Sequence, residues 1–107
     1  MRKNLTIAGQ DAGFIEYVIA ADELQIIDVF VQPKYRRQGL AETVLRELFA
    51  KNKHLASVYL EVRVSNTAAQ NLYTKLGFEK IGIRKNYYSK PVEEAVLMQK
   101  KLHGFQN

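Results

Sequence analysis

The sequence predicts an α/β (α+β) domain in which a mixed, mostly antiparallel sheet contains a central parallel strand-helix-strand unit. Three observations favour this class. Six short segments are rich in β-branched and aromatic residues and are separated by turn residues. Two further segments carry apolar residues at the spacing of one helical face. Because the helical segments lie between strands, the predicted order is β-β-β-α-β-α-β-β, and the middle strand-helix-strand unit is expected to be a right-handed crossover.

The first third of the chain predicts three strands joined by two turns. The third strand is apolar on both faces apart from Gln25 and Asp28, so a central, buried position in the sheet is expected. Pro33 ends this strand, because proline cannot donate a hydrogen bond to the sheet. The strands are predicted at residues 4–8, 14–20 and 24–31, and the turns at 10–13 and 21–23.

The remainder predicts two helices and three strands. In the fourth strand, alternation places Val58, Leu60, Val62 and Val64 on one face, and Tyr59, Glu61 and Arg63 on the other. Asn66 is expected to cap the second helix at its start, and Gly77 to end it in a left-handed conformation. Helices are predicted from residue 39 to about 52 and from 66 to 77, strands at 57–64, 78–84 and 94–102, and a loop at 85–93.

Composition limits the possible functions of the chain. Its 107 residues suit a single domain covering 1–107. The absence of cysteine excludes disulfides, thiolate metal ligands and a cysteine nucleophile. His54, at a helix end, and His103, in the tail, are the only histidines, and no ligand spacing predicts a metal site. With neither a leader-like start nor an apolar run of about 20 residues, a cytoplasmic protein is expected.

The segment from Pro33 to Val44 predicts an anion site. It connects a strand to the start of a helix, where backbone N–H groups lack intrahelical partners and the helix dipole is positive. Gly39 and Ala41 would allow close approach of a phosphate to the backbone. A cluster of basic side chains nearby could reach outlying phosphates: Lys34, Arg36 and Arg37. The alternative is a tight turn with solvated basic residues, and the net charge of +5 is compatible with both anionic partners and simple solubility.

Glu61 and Tyr73 are candidate proton-transfer groups. General acid–base catalysis of a group transfer requires the nucleophile to lose one proton and the leaving group to gain a second. A carboxylate can accept the first proton, directly or through water. A tyrosine hydroxyl, with an ordinary pKa of about 10, can donate the second. The alternatives are an exposed strand glutamate and a core tyrosine.

The loop sequence resembles the coenzyme A signature Q/R-x-x-G-x-G/A of the GNAT superfamily of acetyltransferases. The matching residues are Arg36-Arg37-Gln38-Gly39-Leu40-Ala41, with Ala41 in place of the commoner glycine. A wider resemblance, from about Leu24 to Leu102, is to the ribosomal-protein alanine N-acetyltransferases within GNAT. It is carried by Leu60-Glu61-Val62-Arg63, Ser65-Asn66, Ala69, Leu72-Tyr73, Leu76-Gly77-Phe78 and residues 83–88 and 94–98.

This resemblance implies an N-acetyltransferase that uses acetyl-CoA and a primary amine, which could be a protein N-terminus, a lysine or a small amine. It implies that Glu61 is the general base, Tyr73 the general acid and Asn66 a cofactor contact. The resemblance further assigns the pantetheine arm to Val29, Phe30 and Val31, and the pyrophosphate to the loop residues Arg36, Arg37, Gln38, Gly39, Leu40, Ala41 and Glu42.

The chain departs from the family pattern at its N-terminus. Family members begin with a strand and two helices that have no counterpart here, so the chain is expected to be a shortened GNAT domain. Three hypotheses follow: a homodimer in which a second copy covers the sheet, an unusually open acceptor groove, or acetyl-CoA binding without efficient turnover. Two other classes remain: a non-catalytic acyl-CoA-binding regulatory module, and a basic nucleic-acid binder, for which no recognised signature is present.

Overall fold

The computed structural model of the protein describes residues 1–102 and contains one six-stranded sheet and two helices. The predicted order of elements is confirmed. The strands are β1 (Arg2–Ile7), β2 (Gln10–Ala20), β3 (Glu23–Val31), β4 (Ser57–Arg63), β5 (Glu79–Ser89) and β6 (Val92–Lys101). The helices are α1 (Leu40–Lys51) and α2 (Thr67–Lys75), and a single 3-10 turn covers Pro33–Tyr35. His103 lies outside the described residues.

The spatial strand order is β1-β2-β3-β4-β6-β5, and β3 with β4 is the parallel pair predicted for the middle of the sheet. The other neighbouring strands are antiparallel. One face of the sheet packs on both helices. The buried valine and leucine side chains of β4 lie in the same hydrophobic core cluster as Leu45 of α1 and Tyr73 of α2. We call the other face the open face, since no helix among the described residues covers it.

Two hairpins differ from the prediction. The first turn is Ala8-Gly9 rather than residues 10–13, and both residues have positive φ, as a tight two-residue hairpin requires. The predicted loop at 85–93 is largely strand, because β5 continues to Ser89 and β6 begins at Val92. A bulge between Arg84 and Tyr88 breaks the alternation there, which is why the sequence pattern did not indicate a strand.

The pairing of β3 with β4 covers only the first half of each strand. It ends at the pair Ile26 and Leu60, and no pairing between the two strands follows in the described residues. The second half of β3 is therefore not buried in the middle of the sheet as predicted, and Ile27 is 57% exposed. Val64, predicted to share the buried face of β4, is also exposed and follows the strand end.

The structure predicts that Gly13→Ala is more damaging than Gly9→Ala. Gly13 lies opposite Val31, and a Cβ there would collide with the backbone oxygen of Phe30. Gly9 also has positive φ, but a Cβ there meets no atom within 4 Å. We expect urea unfolding to show a loss of about 1–3 kcal/mol more for Gly13→Ala, because the backbone must move. Equal losses would contradict the tight β2–β3 contact.

Candidate functional site

A cleft of about 700 Å³ opens where β3 and β4 separate. Its walls come from residues 26–31 of β3, residues 60–63 of β4, the loop and first turn of α1, and α2 as far as Tyr73. Nine of the predicted site residues line it: Val29, Phe30, Val31, Arg36, Arg37, Ala41, Glu61, Asn66 and Tyr73. Four predicted loop residues do not line it: Gln38, Gly39, Leu40 and Glu42.

The second half of β3 presents backbone hydrogen-bonding groups to the cleft. Gln32 N donates to Ala12 O on β2 at 2.8 Å. Because backbone groups alternate in direction along a strand, Phe30 hydrogen-bonds toward β2, whereas Val29 and Val31 direct their N–H and C=O groups toward the cleft. The Arg36 Nε donates to the Val31 carbonyl at 2.8 Å, so an arginine side chain already engages this edge.

The loop before α1 has the features of an anion site. Gly39 occupies the N-cap position with φ of 75°, and no side chain caps the helix there. The first-turn N–H groups therefore lack side-chain acceptors from the cap, and the positive end of the helix dipole is uncovered. A Cβ on Gly39 would meet nothing within 4 Å, so there is open space beside this backbone.

Glu42 lies at the start of α1, does not line the cleft and is paired with two cations. Its carboxylate contacts the Lys75 Nζ at 3.0 Å and the Arg46 Nη2 at 3.1 Å. These hydrogen bonds, Lys75 first and Arg46 second, hold the pKa of Glu42 below its usual range. The only acidic side chain in the first turn of α1 is thus matched by two cations. Lys75 also links the start of α1 to the end of α2.

Asn66 caps α2 as predicted. Its Oδ1 accepts a hydrogen bond from Ala69 N at 3.1 Å, so one side-chain oxygen serves the helix. The Nε2 of Gln70 donates to the Arg63 and Val64 carbonyls and fixes the turn between β4 and α2. Gly77 has φ of 99° just after the helix, which confirms its predicted left-handed conformation.

Glu61 lies on the open face of β4, and its side chain is only 18% exposed. The Tyr59 hydroxyl donates to Glu61 Oε2 at 2.9 Å, and the Arg84 Nη2 lies 3.3 Å from the same oxygen. Burial, and then this hydrogen bond, raises the pKa of Tyr59 to about 12. Interaction with the nearby Glu61 carboxylate also raises the pKa of Tyr87. Three polar side chains therefore converge on one carboxylate.

Tyr73 is both a core residue and a wall of the cleft. It is 7% exposed and packs edge-on against Phe78, with ring centroids 5.5 Å apart. Burial, with smaller contributions from Asp28 and Tyr88, raises the pKa of Tyr73 to about 12, above the ordinary value expected from sequence. The hydroxyl therefore keeps its proton at neutral pH.

A smaller cavity of about 200 Å³ adjoins the cleft. Its lining includes Gln25, Tyr59 and Tyr87, and it shares Glu61 and Tyr88 with the larger cleft. Glu61 therefore stands between two spaces, each large enough for part of a ligand. The sequence interpretation missed Tyr59, Arg84 and Tyr87, although the alternation of β4 already placed Tyr59 on the same face as Glu61.

Two further features are absent from residues 1–102. No group of three or more His, Cys, Asp or Glu side chains there could hold a metal ion. No helix of this part of the chain is both long enough and apolar enough to cross a membrane.

Comparison with known proteins identifies the family. The acetyltransferase (GNAT) family model matches residues 5–78. A curated Bacillus subtilis (strain 168) relative, provisionally named ribosomal protein bS18-alanine N-acetyltransferase, is 44% identical over 92 residues, which are 84% of this chain and 61% of the relative. The chain thus spans less than two thirds of that relative's length.

Solved structures agree in fold. The crystal structure of the ribosomal-protein-S18-alanine N-acetyltransferase from Escherichia coli superposes with a TM-score of 0.90 at 34% identity, covering 100% of this chain and 72% of that one. A GNAT acetyltransferase from Elizabethkingia anophelis with acetyl-CoA bound shares the fold, with a TM-score of 0.79 at 23% identity, covering 90% and 72%. The chain belongs to the GNAT family of acetyltransferases.

Proposed function

We propose that the protein transfers an acetyl group from acetyl-CoA to a primary amine. The observation that carries this proposal is the cleft between β3 and β4. A basic loop and an uncapped helix start lie at one end of it, and Glu61 and Tyr73 line its walls. Family membership supports the same reaction class.

The cleft fits the chemistry of acetyl-CoA. The pantetheine arm carries amide groups, which can pair with the free backbone edge at Val29 and Val31 in the manner of an added strand. The pyrophosphate can accept hydrogen bonds from the N–H groups of residues 38–42, with charge supplied by Arg36 and Arg37. Ala41 lines the cleft with a small side chain, which keeps this backbone accessible. Phe30 and Asn66 complete the proposed set as cleft-wall contacts.

Acetyl-CoA supplies an acetyl group that is activated as a thioester. Glu61 accepts the proton that the acceptor ammonium must lose before its nitrogen forms a bond to the acetyl carbon. Tyr73 donates its hydroxyl proton to the sulfur as the carbon–sulfur bond breaks. With a pKa raised by burial to about 12, the Tyr73 hydroxyl keeps this proton at neutral pH, as a tyrosine with the ordinary pKa of about 10 also does. Glu61 thus acts as the general base and Tyr73 as the general acid in the same acetyl transfer.

The acceptor class we favour is the N-terminus of a protein that begins with alanine. Similarity to proteins named as ribosomal protein alanine N-acetyltransferases supports this choice. A lysine side chain or a small amine is the alternative acceptor, and the acetylation rates of the three acceptor classes can be compared directly.

We also propose that the reaction takes place in the cytoplasm. The chain has no cysteine, so its fold does not depend on disulfides that the reducing conditions of the cytoplasm would break.

Gly39→Asp is expected to abolish acetyl-CoA binding. The substitution adds a negative charge beside the N–H groups proposed to hold the pyrophosphate. Calorimetry should show micromolar binding, about −8 kcal/mol, for the unmodified chain and none for the variant. Gly9→Asp is the matched control, because Gly9 also has positive φ and open space but lies in the β1–β2 turn, whereas Gly39 is the N-cap residue of α1. Equal binding by both variants would contradict the loop assignment.

Glu61→Gln and Tyr73→Phe are each expected to lower kcat by about 10²–10⁴-fold, the usual contribution of a general acid or base. Acetyl-CoA binding should be unchanged. Coenzyme A release can be followed with a thiol reagent, since the chain has no cysteine to interfere. The acceptors are a hexapeptide with a free N-terminal alanine, an N-terminally blocked lysine peptide, and spermidine.

Tyr17→Phe serves as the control, because Tyr17 packs against the core from β2 and does not line the cleft. A wild-type rate for Tyr73→Phe would remove Tyr73 from the mechanism. Tight acetyl-CoA binding with no acetylation of any acceptor would favour the non-catalytic acyl-CoA-binding module instead.

A homodimer is the proposed oligomeric state. The open face exposes the apolar side chain of Val18, at 39%, away from the cleft. A second copy that packs there would bury it and leave the cleft accessible. Sedimentation equilibrium should give twice the chain mass of 12.3 kDa, and Val18→Asp should shift the population toward the monomer. A monomer at all concentrations would contradict this proposal.

A further inference from the structure

The polar surroundings of Glu61 are concentrated on one of its two carboxylate oxygens. Tyr59 donates to Oε2 at 2.9 Å, and the Arg84 Nη2 reaches the same Oε2 at 3.3 Å. A carboxylate held through one oxygen has a fixed orientation, and its other oxygen keeps its lone pairs for a further partner. Glu61 lines both the cleft and the smaller cavity, so this second oxygen is adjacent to space where ligands can enter.

Arg84 reaches Glu61 from an edge strand, across β6. Arg84 pairs with Ala95 of β6, and the small Ala95 leaves room for the arginine to extend over β6. The guanidinium carbon of Arg84 also lies 5.1 Å from the ring centroid of Tyr87. The Tyr87 ring and the Glu61 carboxylate thus hold the guanidinium between them, although the Arg84 side chain is 53% exposed.

The bulge in β5 brings Tyr87 into this arrangement. The register shifts between Arg84 and Tyr88, and Asn86 within the bulge has φ of 53°. A bulge of this kind redirects the side chains that follow it. Here Tyr87 lines the smaller cavity together with Glu61, and the guanidinium carbon of Arg63 lies 4.2 Å from the ring centroid of Tyr88. Strand geometry, rather than loop flexibility, therefore sets the position of these side chains.

We propose that Arg84 and Tyr59 are positioning residues of the acetyl transfer: they hold Glu61 through Oε2 so that Oε1 accepts the proton of the acceptor ammonium. The inference rests on the proposed function, in which Glu61 is the base. Neither residue gains or loses a proton in the reaction. Each acts only by orienting the carboxylate toward the acceptor nitrogen.

The alternative role for Arg84, whose side chain is 53% exposed, is that of a stabilising surface contact. Exposed ion pairs contribute little to folding, so a purely structural role predicts little change in either stability or rate when Arg84 is lost. Misorientation of a catalytic group, by contrast, lowers the rate of the chemical step by as much as about 100-fold. The two roles are therefore separable by kinetics.

The chain contains a matched control for Arg84. Arg2 lies on β1, the opposite edge strand, and its side chain is 51% exposed. Its Nη2 lies 3.7 Å from Glu16 Oε1, and its guanidinium carbon lies 3.9 Å from the Phe14 ring centroid. Arg2 thus matches Arg84 in its own exposure and in having an acidic partner and an aromatic ring, but its partner Glu16 is more exposed, at 41%, and lies outside the cleft.

The experiment compares Arg84→Met and Tyr59→Phe with Arg2→Met, using the acceptor that the unmodified chain acetylates fastest. We expect Arg84→Met and Tyr59→Phe to lower kcat by about 10–100-fold. The Kd for acetyl-CoA, measured by calorimetry, should stay within about twofold, and the urea midpoint should match that of Arg2→Met. Arg84→Lys should restore part of kcat, because it keeps the charge but not the planar donor geometry.

The same substitution in a Glu61→Gln background identifies the residue through which Arg84 acts. If Arg84 works through the Glu61 carboxylate, then Arg84→Met should cause little further loss there, so the two effects are strongly non-additive. An equal fold-loss in both backgrounds would overturn the proposal. A wild-type kcat for both Arg84→Met and Tyr59→Phe, together with a lowered kcat for Glu61→Gln, would also overturn the proposal. That outcome would leave the proposed function intact. A wild-type rate for Glu61→Gln itself would overturn the base assignment and the positioning role together.

Discussion

The structure depends on one interruption in backbone pairing. β3 and β4 form parallel hydrogen bonds up to Ile26 and Leu60 and then separate. A central strand edge that is left unpaired is normally an unfavourable exposure of donors and acceptors. Here the exposed edge faces a cleft that also receives the basic loop, the start of α1 and the side chains of Glu61 and Tyr73. The separation thus places a hydrogen-bonding edge beside the candidate chemical groups.

The two ends of this cleft carry different charged groups. The loop end combines Arg36, Arg37 and the uncapped start of α1, and the one carboxylate in that helical turn is matched by Lys75 and Arg46. The other end holds Glu61 with its own cation and tyrosine hydroxyls. The loop end therefore favours an anionic ligand, as a phosphate-bearing acetyl donor requires, and Glu61 provides a carboxylate oxygen that can accept a proton at the other end.

Local signals in the sequence predicted much of the fold. Asn66 and Gly77 bound α2 as expected, since capping depends on the residues nearest the helix ends. The parallel β3–β4 pair followed from the strand-helix-strand order. The Arg84 contact with Glu61 joins residues on different strands across β6, and the bulge that permits it has no simple period. The length of β3–β4 pairing was also unpredictable, because it depends on how the whole sheet twists.

The most direct test of this account measures amide hydrogen exchange at β3, residue by residue, with and without acetyl-CoA. If the cleft binds the pantetheine arm, the amides of Val29 and Val31 should become strongly protected when acetyl-CoA is added. The Phe30 amide, which already hydrogen-bonds toward β2, should change little. Unchanged exchange at Val29 and Val31 in the presence of saturating acetyl-CoA, with protection confined to other elements, would show that the separated strands are not the binding site.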